Sequence, residues 1–85
     1  DHGWRMVEDG STNLDGGDLP VNCSGGVLSS NPIGASGMIR FAEAALQVRG
    51  MAGNHQVEGA RRAFGHAYGG GAQYFAMWVV GADKP

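Results

Sequence analysis

At 85 residues the chain has room for one small domain or a piece of a larger one, and it can bury only a modest share of its surface. Sixteen glycines raise the entropy lost on folding, and two Trp, two Tyr and three Phe are the aromatics available for a core. A formal net charge of −2 with six basic residues leaves no electrostatic footprint for nucleic acid, and no apolar run is long enough for a membrane span.

The first residue is Asp1 rather than Met, which points to processing or truncation upstream. Residues 1–20 form a polar, turn-rich lead-in punctuated by Asp9-Gly10, Asp15-Gly16-Gly17-Asp18 and Leu19-Pro20. Within it, Trp4, Met6 and Val7 read as the end of a strand. The second unit runs over 21–85 and opens with a Gly/Ser/Asn-rich loop at 21–33. That loop holds the only cysteine, Cys23, which excludes an internal disulfide and suits a reducing, cytoplasmic compartment.

A helix is expected from about Gly34 to Arg49. Ser36, Arg40, Glu43 and Gln47 recur at spacings of four, three and four, which draws one narrow polar stripe. Met38, Ile39, Phe41, Ala42, Ala45, Leu46 and Val48 cover the remaining circumference, the pattern of a helix buried among other elements. Asn31 has the chemistry of an N-cap with Pro32 in the first helical position, and Gly50 that of a C-cap. So small a chain has little material to cover such a helix, which therefore calls for a larger host.

Residues 50–59 read as a surface loop. Ala60 to Tyr68 and Gln73 to Val80 read as strands, the second apolar enough to be covered on both faces, and Gly69-Gly70-Gly71 turns between them. The order of loop, buried helix, strand, tight turn and strand predicts a layered α/β arrangement.

Each chemistry-bearing stretch has a structural and a functional reading. Ser30 to Gly37 is a capped helix entry, or it places the Asn31 amide on the floor of a pocket. Gly69-Gly70-Gly71 is a hairpin turn, or a set of backbone N–H donors for an oxyanion. No Gly-Lys-Ser/Thr follows either glycine cluster, and the strand–GxGxxG–helix order is missing, so neither nucleotide motif applies. His2, His55 and His66 lack metal-ligand spacing, and no metal is expected. His66 and Tyr68, two apart on a candidate strand, should share a face. Either could serve a pocket or simply pack.

Taken together, these motifs resemble the C-terminal domain of the thiolase superfamily, most closely its sterol-carrier-protein-type and acetyl-CoA acetyltransferase-like members. Leu19-Pro20-Val21-Asn22-Cys23-Ser24-Gly25-Gly26 is similar to the family's Leu-Pro-Val-Asn-x-Ser-Gly-Gly, and Ser30 to Gly37 to its Gly-His-Pro-x-Gly-Ala-x-Gly. Gln47-Val48-Arg49-Gly50, Gln56-Val57-x-Gly59-Ala60 and His66 to Gly71 continue in the family's order and spacing. The matching stretch runs from about Gly17 to Val80.

The resemblance implies the C-terminal part of a layered αβαβα fold, its buried helix and last two sheet strands. It implies an acyl-CoA acyltransferase that forms or cleaves a C–C bond next to a CoA thioester, with coenzyme A thioester as substrate and no permanently bound cofactor. Asn31 would face the thioester oxygen and the Gly69 N–H would serve a second oxyanion hole. Gly34, Gly37, Gly70 and Gly71 would shape the pocket. The implied partners are the rest of the thiolase-like chain, a second copy in a homodimer or higher oligomer, and a small zinc-ribbon/OB-fold acyl-CoA-binding subunit. The family's acyl-accepting cysteine lies far upstream and Cys23 does not replace it, so the isolated segment should be inactive.

Two departures stand out. Where the family carries the histidine of Gly-His-Pro, this chain has Asn31, which can donate a hydrogen bond but cannot exchange a proton near neutral pH. Where one subgroup has a second cysteine before the terminal glycines, this chain has Ala67. A retro-aldolase of acyl-CoA side chains, or a non-catalytic scaffold subunit, is therefore an alternative to the acyltransferase.

Overall fold

A computed structural model describes residues 2–83. Two helices, α1 (Gly3–Glu8) and α2 (Ser36–Val48), precede two antiparallel strands, β1 (Arg62–Gly69) and β2 (Tyr74–Gly81). Single 3₁₀ turns stand at Gly26–Leu28, Ile33–Ala35 and Gly53–His55. The architecture is α/β, one long helix laid across a hairpin.

The segment around Trp4, Met6 and Val7 is helical, correcting the strand expectation. A strand needs a partner, and in α1 the His2 carbonyl takes the N–H groups of both Arg5 and Met6 instead. The lead-in then folds back on itself, with the Leu19 N–H donating to the Ser11 carbonyl and the Val21 N–H to that of Thr12.

Helix α2 starts two residues later than expected, and Asn31 does not cap it. Ile33 sits at φ 48°, in the left-handed region, which breaks helical continuity between Pro32 and Ser36. The C-terminal end matches its sequence signal closely. Gly50 is left-handed at φ 70°, its N–H bonds the Gln47 carbonyl, and the Met51 N–H reaches back to that of Leu46. This is the paired closure that lets a glycine end a helix without orphaned carbonyls.

The polar stripe of α2 is turned inside out. Ser36 and Gln47 are buried along with Ala44, whereas Met38, Ile39 and Phe41 are exposed. The stripe lies inward because its members find partners there, chiefly Gln47, whose Oε1 accepts from the Val57 N–H and whose Nε2 donates to the His55 carbonyl. Gln56 answers from the loop, accepting from the Ala52 N–H and donating to the Gln47 carbonyl. Glu43 Oε2 lies 2.7 Å from His55 Nε2. Within this segment α2 is covered along one stripe, and Met38, Ile39 and Phe41 stay open, as expected of a helix with too little material around it.

The strands pair in register from Arg62↔Gly81 to Gly69↔Tyr74. Ala63, Gly65, Ala67, Trp78 and Val80 are half-buried beneath α2. The helix comes close there: a Cβ on Gly37 would lie 3.1 Å from that of Ala67. Trp78 fills the middle of this layer, edge-on to Phe41 at 5.7 Å between ring centroids. Its buried Nε1 has no hydrogen-bond partner among the described residues. On the opposite face Phe64, Tyr68, Phe75, Met77 and Val79 are open. Within this segment strand β2 is covered on one face and open on the other.

Candidate functional site

The site is assembled from two turns far apart in sequence. The first is the run from Asn31 to Gly37. Asn31 is exposed, and its Oδ1 accepts a hydrogen bond of 2.8 Å from the buried Ser36 Oγ. With Oδ1 occupied, the amide Nδ2 is the free end and a donor. Gly34 adjoins this bridge and meets nothing within 4 Å of where a Cβ would stand.

The second turn follows β1. Gly70, Gly71 and Ala72 have φ of 61°, 65° and 70° in succession, and the Gln73 N–H closes the loop onto the Gly69 carbonyl at 3.1 Å. The left-handed backbone suits glycine at 70 and 71, where a side chain is disfavoured, whereas Ala72 adopts it with its methyl group. The hairpin reading of this cluster thus describes its backbone. The first turn of α2 approaches the strand that leads into this turn: Gly37 packs on Ala67, and Gly69 follows two residues along.

His66 and Tyr68 share a face, as their spacing predicts, but it is the face turned away from α2. Their rings stack at 6.3 Å, and Phe75 of β2 lies 5.6 Å from His66. The structure therefore puts Gly37, which approaches Ala67, on one side of the sheet and His66 and Tyr68 on the other. Cys23 stands in the tight turn that the Gly25 N–H closes onto the Asn22 carbonyl, and burial raises its thiol pKa above the ordinary value. A raised pKa leaves less thiolate, the opposite of what a nucleophile requires.

Sequence reasoning gave Ser36, Gln47 and Gln56 no part in any site. The signals available were that Ser36 and Gln47 sit in the polar stripe of a helix otherwise apolar and that Gln47 and Gln56 each open a family-like motif.

The site residues thus stand on an α/β segment, a helix across a hairpin with a glycine-rich entry to the helix and a glycine-rich turn between the strands. A family model described as thiolase C-terminal domain-like matches residues 1–82, and the chain belongs to that family. An acetyl-CoA acetyltransferase of Methanothermobacter thermautotrophicus is 49% identical over 69 residues, covering 80% of this chain and 18% of the relative. Sterol carrier protein 2 of Gallus gallus is 43% identical over 75 residues, covering 86% of this chain and 14% of the relative. The Homo sapiens sterol carrier protein 2 is 41% identical over 81 residues, 93% of this chain and 15% of its own. The chain therefore spans less than a fifth of the length of these relatives. No solved structure matches it. Among the described residues, no helix is long and apolar enough to cross a membrane.

Proposed function

We propose that this chain is the C-terminal segment of a thiolase-like acyl-CoA acyltransferase, which makes or breaks a C–C bond beside a CoA thioester. One observation supports the reading: α2 packs on β1 at Gly37 and Ala67, Asn31 is hydrogen-bonded to Ser36 at the start of that helix, and Gly69 follows Ala67 by two residues on that strand. A side-chain amide and a backbone N–H are donors that suit a reaction in which negative charge develops on thioester oxygens. The Asn31 Nδ2 serves the oxygen of the enolate-forming thioester, and the Gly69 N–H serves the second oxyanion. Gly34, Gly37, Gly70 and Gly71 keep the backbone open to the substrate. The nucleophile belongs to the remainder of the polypeptide, which also covers the open faces of α2 and the sheet. A second copy and a small zinc-ribbon/OB-fold subunit are the further partners of this reading.

Asn31 in place of histidine favours a second reading. An amide stabilises an oxyanion but does not shuttle a proton, so a retro-aldol cleavage or a scaffold role accommodates it. The sterol carrier protein 2 relatives leave a lipid substrate open to either activity.

The test uses the full-length polypeptide carrying this segment, with acetoacetyl-CoA and CoA yielding two acetyl-CoA. Asn31→Ala should lower turnover by about 10²–10³, the usual loss for one oxyanion donor. Unchanged turnover removes Asn31 from the site. An active enzyme lacking thiolytic turnover but releasing an aldehyde or ketone from a β-hydroxyacyl thioester selects the retro-aldolase.

A further inference from the structure

Glycine inside a helix weakens it, because alanine loses less conformational freedom on folding. Gly37 nonetheless stands second in α2, with right-handed backbone that any residue adopts. No turn asks for a glycine there, so the reason lies in what the position meets. A Cβ on Gly37 would lie 3.1 Å from the Cβ of Ala67, inside the usual contact distance of two carbons. We propose that Gly37 is a positioning residue: its missing side chain seats the first turn of α2 against Ala67, and so sets where Asn31 stands relative to Gly69. The inference rests on the reading of Asn31 and Gly69 as oxyanion donors and adds the steric pair that spaces them.

A Cβ has no rotamer by which to escape, so a methyl group at 37 must be met by a backbone shift of a few tenths of an ångström. Ala67 is held on its strand, which pairs with β2 along its whole length, Ala67 opposite Ala76. The far end of α2 is held too, since Gln47 and Gln56 bond its last turns to residues 52–57. The shift therefore falls on the first turn of α2. That turn carries Ser36, hydrogen-bonded to Asn31 at 2.8 Å, so Asn31 moves with it. Gly69 stays behind, two residues beyond Ala67 on the paired strand. Gly34 differs, because a Cβ there meets nothing within 4 Å and would displace no backbone.

Kinetics of the full-length polypeptide with acetoacetyl-CoA and CoA, run as two double-mutant cycles, test the assignment. Gly37→Ala should lower kcat about tenfold with KM nearly unchanged, since displacements below an ångström already disturb a placed donor. Ala67→Gly removes the opposing methyl group, and added to Gly37→Ala it should restore most of the loss. In the Asn31→Ala background, Gly37→Ala should add almost nothing, because no amide is left to misplace. Ala67→Val presses on Gly37 from the strand side and should reproduce the kcat loss, a second route if Gly37→Ala does not fold. A glycine kept bare for substrate gives another pattern: KM rises, and Ala67→Gly rescues nothing. A glycine that serves packing alone gives equal kcat losses with and without Asn31. Either pattern overturns the inference, as does wild-type kcat in Gly37→Ala or Ala67→Val. If Asn31→Ala is itself without effect, or the wild type does not turn over acetoacetyl-CoA, the reading of Asn31 fails and this inference falls with it. An effect of Asn31→Ala without one of Gly37→Ala sinks the Gly37 assignment alone.

Discussion

Gly65 and Trp78 share one volume. A Cβ on Gly65 would lie 2.2 Å from the Trp78 Nε1 and 2.4 Å from Cε2, closer than non-bonded atoms approach. The indole is wedged between β1 and α2 with Phe41 at its edge, so it has no room to retreat. Gly65→Ala should therefore destabilise the full-length protein by about 1–3 kcal/mol, the usual cost of overpacking, read by chemical denaturation. Loss of the Phe41–Trp78 packing should also shift Trp fluorescence. A neutral Gly65→Ala would mean that the indole does not occupy the space over β1. The same wedge leaves the Trp78 Nε1 dry, which a tryptophan tolerates where the apolar ring area outweighs one missing hydrogen bond.

At the scale of elements, α2 is fastened less by its apolar side chains than by two glutamines. Gln47 and Gln56 exchange bonds with the loop backbone at Ala52, His55 and Val57, and so hold residues 52–57 against the last turns of α2. Replacing Gln47 with Leu keeps its bulk but strands the Val57 N–H and the His55 carbonyl, a cost of about 1–3 kcal/mol for buried groups. Hydrogen exchange should show residues 52–57 opening while β1 and β2 keep their protection. Unchanged protection at Val57 would assign the anchoring to the Glu43–His55 pair instead. This arrangement also marks how far the sequence could be read. The helix and both strands were legible because their apolar runs are long, and the Gly50 stop because its chemistry is local. The direction α2 faces was not: a polar stripe ordinarily meets water, and only the loop 52–57 reveals that Gln47 is satisfied inside. Asn31 and the two glycine clusters were legible from residue type and spacing. The Asn31–Ser36 bridge depends on a left-handed Ile33, a conformation that a β-branched residue does not advertise. Trp4, Met6 and Val7 misled because six residues without a partner carry too little pattern to separate strand from helix.

Over the whole molecule, surface decides the question of independence. The chain exposes 6549 Å² for a mass of 8.8 kDa, against about 4,800 Å² for a self-contained domain of that mass. Its radius of gyration, 13.4 Å, likewise exceeds the roughly 12 Å of a compact chain this long. The excess is apolar on both outer layers: Met38, Ile39 and Phe41 on α2, and Phe64, Tyr68, Phe75, Met77 and Val79 on the sheet. Among the described residues, Ala44 and Ala52 are the only buried apolar ones, and two alanines do not offset the ordering entropy of sixteen glycines. The isolated 85 residues should accordingly show no cooperative thermal transition, bind a hydrophobic dye and self-associate during size-exclusion chromatography. The same segment within the full-length polypeptide should melt as part of one sharp transition. A monomeric, cooperative melt of the isolated segment would instead make it a free-standing module. The exposed faces would then have to be stable in water, and the need for a surrounding thiolase-like body would disappear.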